Sequence, residues 1–81
     1  MEKKIIYIIK QNCNIEQIED INIDFTAIGV DSITFINIIV ALEQEFDIEF
    51  DDEMLLISQY SNVKEFIEYV TNKVGRNVKN E

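Results

Sequence analysis

The chain has 81 residues, a formal net charge of −9, no histidine and a single cysteine. That length makes one domain with a modest core. The missing histidine excludes Ser-His-Asp and Cys-His catalysis and histidine metal sites. Two glycines are too few for a phosphate-cradling loop, and one cysteine permits no intrachain disulfide, which suits a reducing, cytoplasmic setting.

The first element is Ile5-Ile6-Tyr7-Ile8-Ile9 with its polar flanks. Its β-branched and aromatic content favours a strand, whereas Ile5, Ile8, Ile9 and Cys13 have helical spacing. With no second strand to satisfy its backbone, the segment reads as a helix. The same run is short for a signal-peptide core and has no small-residue cleavage site after it, and no stretch approaches the roughly 20 apolar residues that cross a bilayer. Cys13 reads as a small buried hydrophobe at the helix edge. From Asn14 to Val30 no period persists. Ile18, Ile21, Ile23, Phe25 and Ile28 would pin this long loop to the core, and loops of that length tend to be functional.

A second helix begins near Ser32 and stops near Phe46-Asp47. Phe35, Ile39, Leu42 and Phe46 form its stripe, widened by Ile36 and Val40. With Ile33 and Ile38 added, its first turns are apolar almost all round. A small bundle cannot bury every face, so some of Ile33, Ile36 and Val40 should be exposed as a docking surface; a core position for Ile33 is the equal alternative. Asp51 to Ile57 reads as a short helix, capped by Asp51 or Asp52, with Met54, Leu55, Leu56 and Ile57 packing inward. In the last helix Val63, Phe66, Ile67, Val70 and Val74 make a clean stripe. Asn62 and Glu65 stand in capping-box positions, Gly75 fits the left-handed C′ residue that would end it, and residues 76–81 should fray.

Between Lys10 and Lys64 there is no cation, and that window holds twelve of the sixteen acidic residues. Nucleic acid and anionic membranes are poor partners for such a surface; basic protein surfaces are attracted to it. Solubility alone is the plainer reading. Crowding predicts raised carboxylate pKa values, with capping residues such as Asp31 opposing the trend. The run Asp47 to Glu53 lacks the glycine and spacing of a calcium loop, and no metal site is read there.

One polar pair, Asp31-Ser32, stands at the start of the apolar second helix. Asp31 is a good N-cap, which puts Ser32 in the first helical turn. No histidine exists to activate the serine, so any chemistry there must be performed by another protein. A phosphate on Ser32 would lie beside a helix N-terminus, which favours an anion; phosphorylation and a phosphodiester both meet that description.

Gly29-Val30-Asp31-Ser32-Ile33, the long loop before it and ALEQEFDIEFDDE (Ala41 to Glu53) after it resemble the acyl carrier and peptidyl carrier proteins, over roughly Ile5 to Val74. The resemblance implies an all-α fold, a small four-helix bundle of three main helices plus a short third one, with a long loop after the first helix. Residues 1–75 would be a single carrier domain and 76–81 its tail. It further implies that a phosphopantetheinyl transferase moves 4′-phosphopantetheine from coenzyme A to Ser32, next to the motif and cap residue Asp31. Acyl or aminoacyl groups would then ride on the arm as thioesters, loaded and processed by other enzymes, while the carrier, a monomer, catalyses nothing. Ile33, Ile36, Asn37 and Val40 match partner-docking positions on the serine-bearing helix. Two departures stand out: nothing from Ser32 to Leu42 is charged, and Asp51 follows Phe50 where such carriers commonly have proline. They favour polyketide, nonribosomal peptide or related biosynthesis. Primary fatty acid synthesis and D-alanyl transfer are the alternatives within the family. An acidic helical interaction module, with Asp31-Ser32 as a plain cap, is the alternative outside it.

Overall fold

The computed structural model describes residues 2–13 and 20–78. Among them are three α-helices and no strand: α1 (Glu2–Cys13), α2 (Ser32–Phe46) and α3 (Val63–Val78). The ambiguous N-terminal segment is thus helical, and α1 packs on both α2 and α3. Ile5, Ile8 and Ile9 face inward from α1; Phe35, Ile38, Ile39 and Leu42 from α2; Val63, Phe66, Ile67, Val70 and Val74 from α3. These are the helical stripes of the sequence, and each fully buried large side chain contributes about 1.5–3 kcal/mol relative to exposure. An aromatic cluster centres on Phe66, whose ring meets Phe25, Phe35 and Tyr60 at centroid separations of 5.3, 5.3 and 5.1 Å. Phe50 stacks on it at 5.8 Å.

From residue 20 onward, the segment between α1 and α2 is pinned as its isoleucines suggest. Phe25 is buried, while Ile21, Ile23 and Ile28 pack partly buried against the core; Ile18 lies outside the described residues. The segment has no period because its backbone serves another element. Val63 and Lys64 donate their N–H groups to the carbonyls of Ile23 and Ile21 at 2.9 and 2.8 Å. Asn62 Oδ1 accepts from the Glu65 amide at 2.9 Å, and Glu65 reaches back to the Ser61 amide at 2.9 Å. The loop and the capping side chains together satisfy the amides that a helix start leaves unpaired.

Several expectations are corrected. The short helix over Asp51 to Ile57 is instead two 3-10 turns, Asp52–Leu55 and Ile57–Gln59. A four-helix count is therefore not what the described residues form. Asp51 does stand at the N-cap position of the first turn, and its carbonyl accepts from the Met54 amide at 2.8 Å, but its carboxylate makes no capping bond and is engaged by Tyr69 and Lys73 of α3. Leu56 is extended at φ −99° and ψ 131°, which separates the turns. It also points outward, 56% exposed, rather than into the core. Finally, α3 runs through Gly75 to Val78. Among the described residues, the left-handed ones are Gly29 and Asp47; glycine permits that geometry at Gly75 without requiring it.

Candidate functional site

The approach to Ser32 is a chain of short local bonds. Asp24 Oδ1 accepts from the Thr26 amide at 2.8 Å and opens the 3-10 turn Phe25–Ile28. Gly29 closes that turn at φ 86°, its amide donating to the Thr26 carbonyl at 3.2 Å. Val30 then turns into the core, and its amide donates to the Phe25 carbonyl at 3.1 Å. Asp31 is extended at φ −100° and ψ −176°, and α2 begins with Ser32. In the motif, glycine reverses the chain, valine anchors it, aspartate caps the helix, and the serine is left exposed at the helix start.

Asp31 Oδ1 accepts from the Thr34 amide at 2.8 Å, and its carbonyl from the Phe35 amide at 2.9 Å. The Thr34 amide holds the Asp31 carboxyl below the usual carboxylate range. Asp24 moves down likewise, through the Thr26 amide and hydroxyl. Charge crowding predicts the opposite direction for a carboxylate inside the acidic window; at Asp24 the direct hydrogen bonds dominate. Cations from outside the window also reach in, with Lys4 on Glu45 at 2.8 Å and Lys73 on Asp51 at 3.4 Å.

Below Ser32 the outer face of α2 is apolar. Ile33 is 74% exposed, Ile36 41% and Val40 44%. Asn37 is exposed on the same helix. Ile33 is therefore a surface residue and not a core one. Beside this face runs an open groove of about 360 Å³, lined by Ile36, Val40, Glu43, Phe50, Asp52 and Leu55. Glu43 joins two lining residues by accepting from the Phe50 amide at 2.9 Å. Sequence reasoning missed Glu43, and also Leu56 as a surface residue. The Asp24-x-Thr26 spacing was a legible turn signal; nothing local marked Leu56.

Cys13 is half-buried, and burial pushes its thiol pKa up. That agrees with a packing role and disfavours a reactive thiolate.

A family model described as a phosphopantetheine attachment site matches residues 3–70. The chain belongs to this family. Its members are carriers without catalysis of their own, and 4′-phosphopantetheine is their prosthetic group. No match was found among curated proteins or among solved structures. The residues present fit such a group. An exposed serine opens a helix, and its side chain has free solvent on which to carry a long substituent. Asp31 already occupies part of the helix terminus, so a phosphodiester there meets an anion as well as the favourable dipole. The geometry suits outward presentation and not a closed anion cradle. Among the described residues, no helix is long and apolar enough to cross a membrane.

Proposed function

We propose that Ser32 is the attachment point of the 4′-phosphopantetheine arm and that the chain delivers acyl or aminoacyl thioesters to successive enzymes. One observation carries the reading: in a family member, the serine of Gly29-Val30-Asp31-Ser32 is exposed at the first position of α2, with its neighbours fixed by the core and the cap. The arm, when bound, supplies a terminal thiol; the protein supplies position and address. Asp31 holds the helix start so that Ser32 is presented in one geometry. Ile33, Ile36, Asn37 and Val40 offer the adjacent docking face. A phosphopantetheinyl transferase and the loading and processing enzymes are the partners in this reading, the carrier domain spans residues 1–75, and the setting is cytoplasmic.

The outer face of α2, uncharged from Ser32 to Leu42, supports a specialised pathway, polyketide, nonribosomal peptide or related, because it offers partners apolar contact where a more acidic helix would offer charge. The test is intact-mass measurement after incubation with coenzyme A and a promiscuous transferase. The chain should gain one phosphopantetheine and Ser32→Ala none. Failure of the wild-type chain to gain mass would overturn the reading.

A further inference from the structure

Residues 51–59 are built unlike the rest of the molecule. None of them is buried, although Phe50 before them and Tyr60 after them are. Their regular structure is two 3-10 turns, with bonds such as Met54 N–H to the Asp51 carbonyl at 2.8 Å and Gln59 N–H to the Leu56 carbonyl at 3.0 Å. Short turns with little buried surface, set between two anchored residues, belong to the low-stability end of a fold.

The segment is nevertheless tied down at its start. The Tyr69 hydroxyl donates to Asp51 Oδ2 at 3.0 Å and accepts from the Asp51 amide at 3.1 Å. One phenol therefore grips both the main chain and the side chain of a single residue. Lys73, one helical turn further along α3, reaches Asp51 Oδ1 at 3.4 Å and lies 5.9 Å from the Tyr69 ring centroid. The Tyr60 hydroxyl adds a bond to the Met54 carbonyl at 2.8 Å. The Tyr69 ring packs on Phe50 at 5.1 Å independently of its hydroxyl.

We propose that residues 51–59 are a strap that opens as a unit between Phe50 and Tyr60, held closed by the clamp of the Tyr69 hydroxyl on Asp51 with Lys73 beside it. Opening withdraws Asp52 and Leu55 from the groove beside α2, which Ile36 and Val40 also line, and so widens it. The clamp joins an α3 residue to a loop residue across 18 positions of sequence, so it sets the opening of the strap without touching Ser32. The proposal does not depend on what Ser32 carries.

Native-state hydrogen exchange on the full chain tests it. In the wild type, the amides of Met54, Gln59 and Tyr60 should share one opening free energy, lower than that of Ile38 and Leu42 in α2. Tyr69→Phe keeps the ring packing and should speed the strap amides about three- to ten-fold, the worth of a lost hydrogen bond. Ile9→Val destabilises the core through α1, a helix packed on α2 and α3. Because the opened strap keeps that core intact, this variant should speed the α2 amides and leave the strap amides unchanged. Strap amides that exchange at the α2 rate in the wild type would overturn the proposal. So would strap amides that respond to Ile9→Val as strongly as α2 does, or that ignore Tyr69→Phe.

Discussion

Gly29 turns the chain at φ 86°, and nothing lies within 4 Å of where a Cβ would stand. The cost of a side chain there is therefore backbone strain alone. Gly29→Ala should lower stability by about 1–2 kcal/mol, the penalty of left-handed geometry for an L-residue. Urea denaturation reads this as a lower midpoint at unchanged slope; an unmoved midpoint would show that the turn relaxes freely. Asp24 and Asp31 make the pH prediction. Their folded pKa values are depressed by backbone amides. Their stabilising contribution is thus complete above the ordinary carboxylate pKa and is lost as pH falls through the folded values. The melting temperature should drop below about pH 4, and the Asp24→Asn/Asp31→Asn double variant should show a shallower acid limb. An identical acid limb in that variant would contradict the assignment. At this scale the sequence was informative where a residue acts on its neighbours: the Asp31 cap lies within three positions of its partner. It was silent where the partner is remote, as for Asp51 and Tyr69.

Helices α2 and α3 were legible because their buried faces repeat with helical period, and α1 because no partner strand was available. The segment after α2 was not. Its residues have helix-compatible composition, but tertiary bonds to α3 and the extended Leu56 decide its form. Gly75 misled because a permitted left-handed stop was read as an actual one. On α2 the two faces have different jobs. Phe35 is buried while Ile33, two positions back, is largely exposed. Ile33→Asp should therefore leave the fold near wild-type stability and slow the transferase strongly, whereas Glu45→Gln, on an exposed residue paired with Lys4, should slow it little. Steady-state kinetics give the ranking; a larger loss for Glu45→Gln would show that docking is chiefly electrostatic.

Across the whole molecule the charge is −9, against which the exposed pairs Lys4–Glu45 and Lys73–Asp51 offer at most about 1 kcal/mol each. Net repulsion should dominate, so added sodium chloride should raise the melting temperature; a fall would mean that the pairs outweigh the repulsion. The proposed function rests on one addressable serine. Ser58 and Ser61 are exposed as well and also lie within residues 3–70, so neither exposure nor the family match singles out Ser32; the proposal for it rests on its place at the start of α2, behind the Gly29-Val30-Asp31 approach. The most direct measurement is fragmentation mass spectrometry of the chain after treatment with coenzyme A and a transferase. A single phosphopantetheine should appear on the fragment that contains Ser32, and none on Ser32→Ala. A group found on Ser58 or Ser61, or taken up by Ser32→Ala, would contradict the proposed function.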